Sequence, residues 1–246
     1  MKKIILPAAF AFVLFGCTDL GKTLNDINTQ VQNGTAVPAL TNGDIVQGLK
    51  DALSQGATNG SNKASMVDGF NNNPKIHIPF PASAQKIMDF VVSLGMQSQV
   101  DKFVLTLNRA AEDACKSSAP IFIDAIKSMT VSDGLTILKG SDTAATHFLR
   151  DKCAIALGVK FKPTVQQSTQ KVELTKYYDP LATAYNKIPT HQKIETDLDQ
   201  YVTDRAVDGV FKLVGDEETS IRTNPAARAT DMMKKVFGSK DNPHNQ

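Results

Sequence analysis

Two groups of charged and amide side chains stand at spacings that would bring them together on a helix. Asn108 and Glu112 are one turn apart, Arg109 faces Glu112 at i, i+3, and Arg109 faces Asp113 at i, i+4. As chemistry, this set could line a cleft; as structure, it is a surface ladder of ion pairs bordering a core face, and the ladder is the favoured expectation. The second group is Asp208, Asp216, Glu217, Glu218, Arg222 and Arg228. Consecutive acids at a helix C-terminus oppose the helix dipole. Either the helix therefore continues past Gly215 or the arginines fold back onto the acids. Glu218 and Arg222 at i, i+4 favour continuation, and a buried Arg to Glu clamp joining the last two helices is expected, with a calcium-like site and a solvated charge run as rivals. Carboxylates alone do not make an acid-base pair without a cleft and shifted pKa values. His77, His147, His191 and His244 are scattered, with no zinc-ligand spacing. No nucleophile elbow and no phosphate-cradling glycine loop is present. No catalytic residue, metal or cofactor is expected.

A different chemistry is legible at the N-terminus, where Lys2 and Lys3 precede about thirteen mostly apolar residues ending in Leu14-Phe15-Gly16-Cys17. The run is shorter than the roughly 20 residues of a membrane-spanning helix. It resembles the lipobox of bacterial lipoproteins, which implies cleavage after Gly16 and acylation of Cys17. One acyl chain holds a protein to a membrane only marginally, whereas two or three hold it firmly. By the same resemblance Thr18, standing where an aspartate would favour the inner membrane, points to the outer membrane and a domain facing the periplasm. The expected partner through Cys17 is thus the membrane itself.

Loss of residues 1–16 removes Lys2 and Lys3 and leaves 25 basic residues against 25 acidic ones. The sequence pI of 8.3 therefore owes its basic lean to the leader, and a nucleic-acid partner loses its support. With Cys17 assigned to lipid, Cys115 and Cys153 remain. In an oxidising compartment they could form a disulfide closing a loop of about 38 residues and contributing roughly 3–4 kcal/mol. The alternative is two separate buried thiols.

Residues 17–43 read as a lipidated N-terminus and polar tether, in which Leu20, Leu24, Ile27 and Val31 share one face of a marginal helix. A single helical domain is expected over 44–238, begun by Asp44 as cap, and a frayed tail over 239–246. Gly56 to Gly60 should weaken or interrupt the first helix. The run from Lys75 to Pro81 alternates and carries flanking prolines, so it reads as a short extended segment near 75–80. Beyond it, apolar stripes mark a helix ending at Gly95, a long one from Val100 to Ala114, and a continuation that Pro120 should kink or split. Thr130 to Asp133 is a capping signature. Two helices are expected between Asp142 and Pro163, another over Val165 to Lys176, a turn at Tyr177 to Pro180, and a helix from Ile194 to at least Val214. Asn224 and Pro225 should open the last helix, which runs to Gly238. The fold class is all-α, a globular domain of about seven to nine helices.

The stretches Gly48 to Leu53, Phe70-Asn71-Asn72-Asn73-Pro74, Asn108-Arg109-Ala110-Ala111-Glu112, Asp142 to Thr146, Ile221-Arg222 with Asn224-Pro225-Ala226, and Lys235-Val236-Phe237-Gly238 occur in this order. Together they resemble the bacterial exported proteins grouped as domain of unknown function 4197, over roughly residues 44–238. The resemblance implies a shared fold and transfers no activity and no site residues. A noncatalytic envelope protein that binds or organises a partner is the expected function. The alternative is a carrier enclosing a lipid or other hydrophobic ligand, and a hydrolase is the weakest reading.

Overall fold

In the computed structural model of the chain, residues 40–171, 178, 182–183, 185–187, 189, 193–194, 197–240, 242 and 245 are described. Cys17, the candidate tether helix, His191, His244 and most of the Tyr177 to Pro180 turn lie outside them. The chain divides into residues 1–39 and a unit that starts at Leu40.

The first helix, α1 (Asn42–Ser65), is capped one turn earlier than Asp44 alone would suggest. Thr41 is its N-cap, and the Thr41 hydroxyl and Asp44 carboxylate form a reciprocal capping box. The Thr41 side chain, and then its backbone N–H, hold the Asp44 carboxyl below its ordinary value. The same device starts α5 (Val131–Leu138), where Thr130 is N-cap and Asp133 its partner.

Contrary to expectation, α1 runs unbroken through Gly56 and Gly60. A Cβ on Gly60 would lie 2.8 Å from Val214 Cγ2 and 2.9 Å from its backbone nitrogen, and one on Gly56 would lie 3.4 Å from Glu217 Cβ. These glycines let α1 approach the long helix α7 (Leu198–Thr223) backbone to backbone. What reads locally as a breaker is a packing groove, because burial against α7 outweighs the roughly 1 kcal/mol that glycine costs in a helix.

Between these two helices along the chain come α2 (Gln85–Ser93), α3 (Gln97–Cys115), α4 (Ser118–Lys127), α5 and α6 (Ala144–Thr169), and α8 (Asp231–Phe237) packs against α1. Gly95, at φ +79°, closes α2, and the N–H of Met96 reaches back to the Val91 carbonyl as a left-handed C-terminal cap requires. Pro120 does mark a split: α3 stops at Cys115 and Pro120 falls in the first turn of α4, where its missing N–H costs nothing. Pro163 does not, and the three helices expected between Asp142 and Lys176 are one, Ala144–Thr169. The carbonyl its ring deprives of a partner belongs to Val159, on the exposed face of α6, where water can serve it. α7 continues past Gly215 to Thr223, as Glu218 and Arg222 suggested. Asn224 does act as a cap, but of the three-residue 3₁₀ turn Pro225–Ala227; Thr230 caps the separate final helix.

Residues 75–80 form no strand: Lys75 and Ile76 belong to a turn in which the N–H groups of Ile76 and His77 donate to Asn73 O at 3.1 and 2.8 Å, only 77–79 run free of turn or helix, and no strand occurs among the described residues. Ile76, Ile78 and Phe80 are buried while Pro79 is exposed, a two-residue alternation like that of a strand. Phe80 meets the Phe103 ring at 5.3 Å and Tyr178 at 6.0 Å. Where the tail is expected to fray, Asn242 is buried and donates to Phe237 O at 2.7 Å.

The glycine groove makes opposed predictions for two substitutions that helix propensity alone would treat alike. Gly60→Ala should destabilise the domain by about 1–3 kcal/mol through overpacking. Gly158→Ala, at a helical position where a Cβ meets nothing within 4 Å, should stabilise it by about 0.5–1 kcal/mol. Denaturant midpoints of the two variants decide the point, and a stabilising Gly60→Ala would refute the close approach of α1 and α7.

Candidate functional site

Both polar groups singled out from the sequence are more buried than a surface ladder allows. Asn108 is fully buried, Glu112 is 3% exposed and only Arg109 reaches solvent. The three sit on one side of α3 and hold the segment that precedes α2. Asn108 accepts from the Ile78 N–H and donates to the Ile78 carbonyl, each at 2.9 Å, with a further bond to Val104 O at 2.8 Å. A side-chain amide thus supplies both hydrogen bonds a neighbouring strand would have supplied, which is why the extended segment needs no sheet. Glu112 Oε1 accepts from the N–H groups of Phe70 and Asn71, at 3.0 and 3.2 Å. Its Oε2 accepts from Arg109 Nη1 at 2.6 Å, and Arg109 Nη2 reaches Asp68 Oδ1 at 2.7 Å. The bond to Glu112 raises the Arg109 guanidinium above its ordinary value, aided by Asp68. Asp68 occupies the left-handed region at φ +66°, a conformation that aspartate tolerates better than most residues.

The expected pair between Arg109 and Asp113 is absent among the described contacts: Asp113 turns to Lys116 at 2.8 Å. This correction follows from burial, since Glu112 points inward and draws Arg109 with it. Phe70, at the centre of the pinned turn, is buried against Gly209 of α7, where a Cβ would lie 2.5 Å from the ring. His77, in the same segment, meets the Asn71 carbonyl through Nδ1 at 3.0 Å. No group of three or more His, Cys, Asp or Glu side chains placed to hold a metal ion occurs among the described residues.

The second group forms the clamp expected from Glu218 and Arg222, but it joins different elements. Glu218 is 7% exposed and Arg222 1%, and Arg222 Nη2 lies 2.9 Å from Glu218 Oε1. Glu218 also accepts from the backbone N–H groups of Ala145 and Thr146, at 2.9 and 2.7 Å, and from the Thr146 hydroxyl at 2.7 Å. Those N–H groups belong to the first turn of α6, whose own N-cap, Thr143, makes no side-chain capping bond. Glu218 therefore caps α6 from another helix, placing an anion where the helix dipole favours one. Arg222 donates to the carbonyls of Ile137 and Leu138, at 2.8 and 3.2 Å, at the C-terminal end of α5, where a cation is favoured. One i, i+4 pair on α7 closes the facing ends of α5 and α6. It does not tie the last two helices by an ion pair as expected from sequence, although the Arg222 guanidinium lies 5.8 Å from the Phe237 ring of α8.

Arg228 meets none of the acids of its group and donates to the Ile221 and Arg222 carbonyls, at 2.9 and 3.0 Å. Burial lowers its guanidinium pKa. Asp216 pairs with Lys75, Glu217 with Lys63 and Asn59, and Asp208 with Arg150. Thr146 and the carbonyls of α5 were missed as participants because partners distant in sequence carry no local signal.

Cys115 and Cys153 do not form the disulfide considered from the sequence: both are free and buried. Cys153 Sγ faces its own helix, 2.7 Å from Leu149 O, and Cys115 Sγ lies 3.9 Å from Ala206 O. Each acts as a small apolar side chain. Burial raises both thiols, Cys153 to about 11.

The site defines an all-helical domain organised by buried polar clamps. Residues 39–238 match the family described as protein of unknown function, DUF4197, and the chain belongs to it. No curated protein and no solved structure matches the chain.

Two outcomes test these arrangements. Glu218→Ala should cost about 3–5 kcal/mol because it strands the Arg222 charge in the interior, and adding Arg222→Met should recover part of that loss. Guanidinium unfolding of the single and double variants measures it; a single-variant cost below about 1 kcal/mol would refute the clamp. In the second, the native domain should leave Cys115 and Cys153 unmodified by an aromatic disulfide reagent at pH 8, because the thiolate is the reactive form. Both should react in denaturant without reductant, whereas a disulfide would leave neither reactive.

Proposed function

We propose that the protein is a lipid-anchored envelope protein, held in the outer membrane through Cys17 with its domain facing the periplasm, and that it works by noncatalytic binding or scaffolding. The observation that carries the noncatalytic part is the use made of the polar groups. Asn108 and Glu112 turn to the backbone of the 68–80 segment, while Glu218 and Arg222 turn to two helix ends. A hydrolase would need such groups to converge on a cleft with capacity left for substrate.

The interior also weighs against the carrier. The pocket beside the clamp, among Leu49, Ala52, Val214 and Phe237, has room for only about 10 Å³. That is roughly one water, while ligand cavities run to hundreds of Å³. The anchoring part rests on Lys2, Lys3, the apolar run and Cys17. No described helix is long and apolar enough to cross a membrane, so acyl chains on Cys17 would provide the attachment.

Intact-mass and peptide analysis of the protein extracted from cells with detergent tests the anchor. The expected N-terminal residue is Cys17 bearing a diacylglyceryl thioether and an N-acyl group. A chain retaining residues 1–16, or an unmodified Cys17, would refute it.

A further inference from the structure

α2 packs chiefly on α3 and on the 3₁₀ turn Ala82–Ala84, and Val91 is its one fully buried residue. Yet seven of the ten residues from Ile87 to Met96 are large and apolar. The surplus lies outside: Phe90 is 62% exposed, Leu94 60% and Met96 41%, and every residue from Ser93 to Gln99 is exposed. Leu94-Gly95-Met96 joins α2 to α3, so these side chains stand on an outer corner of the domain. From Phe90 to Val100 no residue carries a charge.

The polar groups of the corner are unevenly satisfied. The carbonyl of Phe90 accepts from the Ser93 hydroxyl at 2.6 Å and the Leu94 N–H at 3.2 Å, that of Val91 from the Met96 N–H at 3.3 Å, and that of Val92 from the Gly95 N–H at 2.9 Å. At the start of α3 the donors are left over. Met96 caps that helix without a side-chain acceptor, and the N–H groups of Gln97 and Ser98 have no partner among the described residues. Lys86, Phe90 and Leu94 follow one another at i, i+4 and i+8, on one flank of α2. The Lys86 ammonium has no hydrogen bond or ion pair among the described residues, and at 1.5 Å per residue it stands about 12 Å behind Leu94. Asp89 and Asp101, the acids that border the uncharged run, each accept from a glutamine one turn earlier on their own helix, at 2.8 and 2.7 Å.

We propose that this corner dips into the surface of a phospholipid bilayer. Phe90, Leu94 and Met96 enter the upper acyl chains, the Gln97 and Ser98 N–H groups turn to ester and phosphate oxygens, and Lys86 reaches a phosphate from behind. Ester and phosphate oxygens accept hydrogen bonds and donate none, which suits a corner whose unused groups are donors and a cation. The absence of charge from Phe90 to Val100 suits the same depth, where each charge would oppose insertion. A second copy of the chain would bring to this corner the same donors and the same lysine, and so completes neither. Acylation of Cys17 is not required for the contact, which residues 86–101 make by themselves.

The test uses the full chain, extracted from cells in detergent and reconstituted into phosphatidylcholine vesicles with or without bromine on the acyl chains. The chain has no Trp, so Phe90→Trp, and Ile155→Trp as the reference on α6, each give a protein with a single tryptophan. Bromine about 5–10 Å deep, where interfacial elements sit, should remove about half the emission of the Phe90→Trp chain and leave that of the Ile155→Trp chain unchanged. Adding Leu94→Glu to the Phe90→Trp chain should abolish the quenching, because a carboxylate resists that depth. Quenching no greater at position 90 than at 155, or quenching that survives Leu94→Glu, would overturn the proposal. So would a blue-shifted emission that bromine does not quench, the result expected if protein covers the corner. Flotation of the same chains with the vesicles reports attachment through Cys17, so a failed anchor and a failed corner are read separately.

Discussion

The structure depends on one buried ion pair that closes two helices at once. A carboxylate and a guanidinium taken out of water each carry a desolvation cost of several kcal/mol, and their mutual attraction alone does not repay it. Glu218 and Arg222 are tolerated because each of their buried polar atoms has a partner: the carboxylate meets two backbone N–H groups and a hydroxyl at the start of α6, and the guanidinium meets two carbonyls at the end of α5. Helix ends buried without partners would themselves be costly. The pair and the helix ends therefore solve each other's problem, and they fix where α5 and α6 terminate relative to α7.

The cluster on α3 works by the same logic on an irregular segment. A buried loop must account for each backbone donor and acceptor, and Asn108 with Glu112 serves Phe70, Asn71 and Ile78. Held in this way, Phe70 packs on Gly209, while Ile76, Ile78 and Phe80 enter the core. Side-chain amide and carboxylate groups here take the place of a sheet. Polar residues that would suggest a reactive cleft in the abstract are here turned to the backbone of the segment they hold.

Much of the helical plan was legible. The stripe from Val100 to Ala114, the capping box at Thr130, the stop at Gly95 and the continuation of α7 all rest on interactions within one or two turns, and local sequence encodes those directly. The errors share a cause as well. Gly56, Gly60 and Pro163 were read as interruptions by their intrinsic preferences, and packing against α7 or exposure to solvent overrode those preferences. Asn108 and Glu112 were placed on a surface because spacing shows which residues share a face but not what covers the face.

By itself the sequence determined the all-helical class, most helix starts and stops, the i, i+4 relation of Glu218 to Arg222, and membership of the family through motifs in a fixed order. Each is a matter of periodicity, capping or order along the chain. Only the tertiary structure decided what the charged groups hold. Their partners, Ala145, Thr146, Ile137 and Leu138 for the clamp and Phe70 and Ile78 for the α3 cluster, lie tens of residues away. Most are backbone atoms, which every residue possesses, so no choice of residue type at those positions announces the contact in advance.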